Sequence, residues 1–363
     1  MTAGRGYDKL IAMGKHVLFT TWLGGGNVNP VLGLTEALLA DGHEVSALAT
    51  SFLAERLTDA GISVLAPPAG YLPEGGDTAS AIDSADPDLV VVDFMLTSAL
   101  GAAAASGTPA VGLIHTLYGA TMVDGAPHPM LMTGGLEPVN ADRAALSLEP
   151  IGSLGDLLAA MDGLVVTAPS ELDDLAVAVP APADYLGPLF ESADPDADWR
   201  PPQGSGPLIV ISGGTAAMDA GDEAAMLSAV LTAVAPLEAR VLLTLPAYQD
   251  AGAFDIPANT TVSGYVRHSA VLPHADLVVT HGGLGTVTAA LAHGVPMVCL
   301  PLDREQPDNA TAVERIGAGA RLAPTSAPEA IRDAIETQLM RGGTVSFPAD
   351  PARAAATLLS HSR

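Results

Sequence analysis

Short runs of Val, Leu and Ile recur along this chain, each followed by a stretch rich in Ala and Leu, and that alternation admits few folds. In the first half the runs 16–21, 44–49, 62–65, 89–93, 110–115 and 164–167 read as strands. Segments 30–39 and 52–60, an Ala-rich stretch before residue 110 and a segment after Pro169 read as helices. The strands are almost uninterrupted apolar sequence rather than alternating, as expected when helices cover both faces of a parallel sheet. An acidic stretch rich in Pro, Gly and Ser follows at 191–206, and then the pattern starts again at 208–212, 241–245, 261–262, 277–280 and 297–300. The expected fold class is therefore α/β, with two doubly wound halves and a last Ala-rich helix within 348–363 that packs back across them. Ligands of such sheets sit beyond the carboxyl ends of the strands, so the strand exits are the places to look.

Composition narrows the partners. The 363 residues carry 41 Asp plus Glu against 15 Lys plus Arg, a formal charge of −26, with two lysines in all. A polyanion needs a basic face, so nucleic acid is excluded, and an anionic membrane surface is disfavoured on the same ground. No apolar run approaches the roughly 18 residues of a membrane span, and the N-terminus lacks a secretory pattern. Cys299 is the single cysteine, which leaves no intrachain disulfide and no clustered thiolate site and fits a reducing cytosol. The expectation is a cytoplasmic protein that requires no metal. Asp86-Pro87-Asp88 and Asp194-Pro195-Asp196 have paired acids, but proline between them suits a turn better than a ligand cradle.

The densest information lies in 275–320. A strand ends at Thr280, and His281-Gly282-Gly283-Leu284-Gly285-Thr286 turns tightly into a helix that closes at His293-Gly294. Glycines permit close backbone approach, and a helix start offers free N–H groups with partial positive charge, so a pyrophosphate fits there without a basic cluster.

This block resembles the nucleotide-sugar signature of the family 1 glycosyltransferases of the GT-B fold, the group that decorates macrolides, polyketides and plant metabolites. The likeness extends through Gly294-Val295-Pro296-Met297, Pro301 followed by Glu305-Gln306-Pro307, and Tyr265-Val266-Arg267-His268 upstream. In the first half, Gly26-Asn27-Val28-Asn29-Pro30 and Gly42-His43-Glu44-Val45 resemble the opening of the family's acceptor domain. The resemblance implies two Rossmann-like domains with a cleft between them. It implies an acceptor domain at 1–193, a linker at 194–206, a donor domain at 207–345 and a returning helix at 346–363. Tyr265 or Val266 would cover the nucleobase, and Ser212, Gly214, Thr215, His281, Gly283, Gly285 and Thr286 would hold the phosphates. Glu305 and Gln306 would bond the sugar hydroxyls. Gly26, Met95 and His128 would line the acceptor pocket, with the apolar stretch 122–132 as a wall. The co-substrate would be a nucleotide sugar, the partner an apolar small molecule, and a homodimer is compatible with the sequence.

Two departures from the family pattern matter. Uridine diphosphate users often carry a glutamate eight residues past the histidine to hold the ribose hydroxyls; Ala289 stands there, which favours thymidine diphosphate deoxysugars over UDP-glucose. The family's base is usually a histidine where this chain has Asn27, and an amide accepts no proton near neutral pH. Four accounts follow. The acceptor is already nucleophilic; or another group serves, with Asp93 and His115 best placed at strand ends; or the protein is a silent partner; or the asparagine is an engineered substitution. A nucleotide-sugar epimerase on the same fold is a further alternative to an inverting transferase. The few residues between the third strand and Leu89 suggest an open acceptor pocket, and the Gly24-Gly25-Gly26 loop has a weaker likeness to lipid-linked GlcNAc transferases.

Overall fold

The computed structural model describes residues 14–22, 26–65, 72–120, 122–123, 126–127, 135–191, 199–213, 220–246 and 249–362. Strands β1 (His16–Thr20), β2 (Glu44–Leu48), β3 (Ser63–Val64), β4 (Leu89–Asp93) and β5 (Ala110–Ile114) begin the first half. An antiparallel pair, β6 (Met122–Val123) and β7 (Ala126–Pro127), then β8 (Gly163–Val166) and β9 (Asp184–Tyr185), complete it. Its helices are α1 (Val28–Ala40), α2 (Ser51–Asp59), α3 (Gly75–Ala85), α4 (Thr97–Ala105), α5 (Glu137–Ala145) and α6 (Leu154–Ala159). The second half holds β10 (Leu208–Ser212), β11 (Arg240–Thr244), β12 (Thr260–Ser263), β13 (Leu277–Thr280), β14 (Met297–Cys299) and β15 (Gly319–Arg321). Among them run α7 (Ala220–Val234), α8 (His268–Val271), α9 (Leu284–Ala292), α10 (Gln306–Arg315) and α11 (Pro328–Arg341), with α12 (Pro351–Leu359) last.

Seven strands form the first sheet in the order β3-β2-β1-β4-β5-β8-β9, and six form the second in the order β12-β11-β10-β13-β14-β15. The pairings within both sheets are parallel. The winding reverses between β1 and β4 in the first and between β10 and β13 in the second, which opens a crevice at each pair of strand exits. Side-chain alternation sorts the core into three bodies. Val17 and Phe19 of β1 face an outer cluster, while Leu18 joins an inner one. In β10, Leu208 and Val210 join that same inner cluster, and Ile209 and Ile211 face the outer cluster of the second half. The inner cluster thus runs from one sheet to the other, and both faces of each central strand are apolar because both are covered.

Helix α12 packs on the first half. Ala354, Ala355 and Leu358 of α12 are buried in the outer cluster of the first half, and Arg353 donates to the Leu186 carbonyl at 3.0 Å. Two polar clasps also join the halves. Glu191 accepts from Arg56 of α2 at 2.6 Å and from Arg267 of the second half at 2.5 Å. Arg315, at the end of α10, donates to the carbonyls of Leu172 (2.8 Å) and Asp173 (3.2 Å). Phe190 stacks on His293 with ring centres 5.9 Å apart.

Several boundaries differ from expectation. The helix expected after Pro169 is a single 3₁₀ turn, Ser170–Leu172. It stops there because the Asp173 carboxylate takes the backbone N–H groups of Gly119 (2.9 Å), Ala120 (3.2 Å) and Asp174 (2.9 Å), and accepts from the Tyr185 hydroxyl at 2.7 Å. The stretch read as compact before Leu89 contains α3, which has a capping box between Glu74 and Asp77. Asp86 and Asp88 serve the turn: Asp86 adopts φ 44° as the helix cap, and Asp88 accepts from the His16 N–H at 2.8 Å. Asp194-Pro195-Asp196, Gly214, Thr215, Gly24, Gly25 and His128 lie outside the described residues.

Helix α1 passes close to the chain as it leaves the first half. A Cβ on Gly33 would stand 2.8 Å from the Phe190 carbonyl oxygen and 2.9 Å from its nitrogen. Gly33→Ala should therefore destabilise the protein by about 1–3 kcal/mol in urea unfolding, despite the better helix propensity of alanine.

Candidate active site

At the first switch point, the exits of β1, β4 and β5 bring three side chains together. In the β4–β5 register Asp93 pairs with Leu113, so His115, two residues on, leaves the sheet on the same side as Asp93. The contact is His115 Nε2 to Asp93 Oδ1 at 3.2 Å. From the start of α1, Asn27 Nδ2 donates to Asp93 Oδ2 at 2.9 Å, to the Trp22 carbonyl at 2.7 Å, and lies 3.4 Å from Thr21 Oγ1. The Met95 N–H adds a bond to Asp93 Oδ1 at 3.0 Å, so Asp93 also shapes the turn into α4. The Asp93 side chain is fully buried, as is Asn27, whereas the His115 ring is 13 % exposed and packs edge-on to Phe94. Trp22, Met95 and Met122 stand partly exposed around this edge. Gly26 is exposed at the entry to α1, with open space where a Cβ would stand.

At the second switch point, Ser212 of β10 pairs with Thr280 of β13 and is itself buried. The chain leaves Thr280 through His281 and reverses at Gly282, whose φ of 85° suits glycine. Helix α10 holds this turn from behind: Asn309 Nδ2 donates to the Gly282 carbonyl at 3.0 Å, and the Gly282 N–H reaches Thr280 Oγ1 at 3.2 Å. Gly283 has to be small, because its Cβ would stand 2.6 Å from His281 Nε2. Helix α9 begins at Leu284 with no side-chain cap; the N–H groups of Thr286 and Val287 donate to the Gly283 carbonyl at 3.1 Å, and those of Leu284 and Gly285 have no acceptor within the helix. Thr286 is nearly buried on the first turn. Tyr265 is 55 % exposed beside this edge, and Val266 packs partly buried on the inner cluster.

Glu305 and Gln306 open α10, but they have different surroundings. Glu305 is partly exposed and its charge is felt by His115 across the crevice. Gln306 is 3 % exposed, and its Oε1 accepts from the N–H groups of Leu302 (2.9 Å) and Asp303 (3.2 Å). The carbonyl of that amide closes the loop from β14. Ala289 lies on the buried side of α9 at 3 % exposure.

Sequence reasoning passed over Arg304. It adopts φ 56°, a region that costs a residue with a Cβ about 1–2 kcal/mol. Its exposed guanidinium sits close enough to work against protonation of His281. A lone arginine in an acidic loop next to the glutamate was the available signal. The Arg56–Glu191–Arg267 clasp had none, since its members are far apart in sequence. No group of three or more His, Cys, Asp or Glu that could hold a metal occurs among the described residues, and no described helix is long and apolar enough to cross a membrane.

The histidines divide by environment. Burial lowers the pKa of His115, but the Asp93 charge and hydrogen bond, then Glu305 and the ring's own backbone carbonyl, outweigh it and hold the pKa above the ordinary value. Burial depresses His281 to about 4 with help from Arg304, while the Ser212 backbone acts the other way. His268 is likewise pushed down to about 4 by burial and by the neighbouring His281 and His293. His268 and His281 are therefore neutral hydrogen-bonding groups at neutral pH. Burial also pushes the Cys299 thiol up to about 12, leaving it inert.

Residues 228–356 match the family described as the erythromycin biosynthesis protein CIII-like C-terminal domain. Over 148 residues the chain is 36 % identical to 4'-demethylrebeccamycin synthase of Lentzea aerocolonigenes, covering 40 % of this chain and 34 % of that one. Against demethyllactenocin mycarosyltransferase of Streptomyces fradiae it is 26 % identical over 354 residues, covering 83 % and 73 % of the two chains. The alignment thus spans about a third of the first relative and most of the second. The crystal structure of the kitacinnamycin glycosyltransferase superposes with a TM-score of 0.72 at 22 % identity, over 96 % of this chain and 94 % of that one. The spinosyn rhamnosyltransferase complexed with thymidine diphosphate gives 0.68 at 19 %, over 96 % and 95 %. The fold of the whole chain is GT-B.

The pKa shifts give stability a pH dependence of known sign. Between about pH 4 and 6.5 the unfolded chain binds more protons at His268 and His281 than the folded one, so folding weakens as pH falls through that window. His115 acts in reverse: its contribution is complete below about 6.5 and is lost as pH rises through its raised value. The melting temperature should fall on acidification from neutral pH towards 4, and His268→Gln with His281→Gln should flatten that fall.

Proposed function

We infer that this chain, a GT-B glycosyltransferase of the natural-product type, moves a sugar from a nucleoside diphosphate donor to a small apolar acceptor with inversion at the anomeric carbon. The observation that carries this reading is the pair of switch-point sites. One is a glycine turn with an uncapped helix start; the other is a hydrogen-bonded Asp–His pair at the strand exits of the first half. Glu305 connects them, standing beside the glycine turn and sensed by His115.

On this reading the diphosphate sits on the N–H groups that open α9, with Ser212, His281, Gly283, Gly285 and Thr286 around it, and the nucleobase lies near Tyr265 and Val266. The acceptor's lone pair attacks the anomeric carbon while the bond to the diphosphate breaks and its electron pair leaves with the phosphate oxygen. The developing charge is met by the helix start, worth about 0.3–1 kcal/mol at an exposed terminus and up to about 2 where partly buried. Arg304 adds a cation from the same side, and no divalent ion is required. Glu305 accepts from sugar hydroxyls, and bonds to a charged acceptor contribute about 1.5–3 kcal/mol. Gln306 stiffens that loop, its oxygen held by the N–H groups of Leu302 and Asp303. Trp22, Met95 and Met122 suit an apolar acceptor, and the domain clasps bring the two substrates together away from water.

Ala289 leaves the ribose without a carboxylate on α9, which favours a thymidine nucleotide, and one neighbour of the same fold is solved with thymidine diphosphate. Calorimetry with thymidine and uridine diphosphates tests the donor reading. Thymidine diphosphate should bind about tenfold more tightly, near 1.4 kcal/mol, with no change on adding EDTA. A uridine preference would overturn the thymidine assignment, a loss on chelation would overturn metal independence, and binding of neither would overturn the donor site.

A further inference from the structure

We propose that His115 is the catalytic base of this chain, accepting the acceptor's proton at Nδ1, and that Asn27 and Asp93 position it. The proposal rests on the transferase reading and names the group that the asparagine at the opening of α1 leaves unassigned.

The assignment follows from hydrogen-bond capacity and exposure. Asp93 is enclosed and receives donors from Asn27 (2.9 Å), the Met95 N–H (3.0 Å) and His115 (3.2 Å). A carboxylate only accepts. Nε2 of His115 then carries the hydrogen of that contact and the lone pair of the neutral ring lies on Nδ1, where the ring's own backbone carbonyl receives the hydrogen that Nδ1 gains on proton transfer. Asn27 is fully buried with its amide nitrogen engaged, so it neither reaches an acceptor nor takes a proton. Asp93 is equally enclosed. Among the three, the His115 ring alone is partly open to the crevice, and Glu305 is the other charged group acting on it. Both carboxylates favour the imidazolium that forms on proton transfer.

The step balances. The acceptor hydroxyl gives its proton to Nδ1 as its oxygen bonds to the anomeric carbon, and the carbon–oxygen bond to the diphosphate breaks with the electron pair leaving on the diphosphate. Asn27 thus keeps a link to Asp93 without being a base: its amide fixes the carboxylate oxygen that His115 does not use. One carboxylate can then hold a base on the neighbouring strand exit.

The test uses the 363-residue protein, dTDP-glucose and a series of phenols from phenol itself to 4-nitrophenol, which ionises without help. His115→Gln should lower kcat/KM on phenol by about 10²–10⁴-fold and on 4-nitrophenol far less, with thymidine diphosphate affinity unchanged. The acidic limb of the wild-type pH–rate profile should vanish in His115→Gln and move to lower pH in Asp93→Asn. Equal losses on every phenol, or a limb that survives in His115→Gln, would overturn the assignment. Nitrogen-15 NMR of the histidine rings separates this failure from failure of the transferase reading, because it needs no turnover. The dyad requires an Nε2–H tautomer at His115 that titrates above an ordinary histidine and shifts down in Asp93→Asn. An Nδ1–H tautomer, or a titration indifferent to Asp93, would overturn the proposal even if no phenol is glycosylated.

Discussion

A parallel sheet sends all its strands out at one edge, and where the winding reverses, two neighbouring exits part and leave a crevice. This protein uses that constraint twice. Between β1 and β4 the parting exits carry Asn27 and Asp93; between β10 and β13 they carry Ser212 and His281. The other groups given a role stand beyond neighbouring exits of the same sheets: His115 after β5, Tyr265 and Val266 after β12, and Arg304 and Glu305 after β14. The inner apolar cluster that runs from one sheet to the other keeps the two edges in a fixed relation, and the Glu191 and Arg315 contacts reinforce it.

The charge of the chain makes the donor side intelligible. A protein at −26 has little cationic surface with which to attract a diphosphate. The site instead offers backbone N–H groups at an uncapped helix, neutral histidines that burial keeps unprotonated, and one arginine held at φ 56°. On the proposed reading, dipoles fixed by the fold need no reorganisation when charge develops on the leaving group, and so would serve catalysis as well as binding. The acceptor side has the opposite character, with one buried carboxylate satisfied by donors on several sides and a single ring reaching the crevice.

Much of this was legible in the sequence, for physical reasons that differ by element. The central strands were read to within a residue or two because burial on both faces leaves them unbroken apolar runs. The turn from Thr280 into α9 was read because glycine spacing and a helix start have few other uses. Helix α3 was missed because Gly75-Gly76-Asp77 looks like a loop and the helix buries little beyond Thr78, Ala81 and Ile82. The helix expected after Pro169 was cut to one turn by Asp173, whose partners at 119, 120 and 185 lie far from it in sequence. The same holds for the clasp on Glu191, which meets Arg56 across 135 residues. Gln306 was read for its type, whereas its neighbours at 302 and 303 already use its oxygen. For Asn27, Asp93 and His115 the residues were identified, but only the structure shows one carboxylate joining the other two.

The account stands on the two crevices facing one another across a single reacting centre. A crystal structure of the protein with thymidine diphosphate and a bound phenol tests that most directly. The diphosphate oxygens should lie within hydrogen-bond distance of the N–H groups of Leu284 and Gly285, with the phenol oxygen against His115 Nδ1. A nucleotide seated at the exits of the first sheet, or a phenol oxygen turned away from His115, would contradict it.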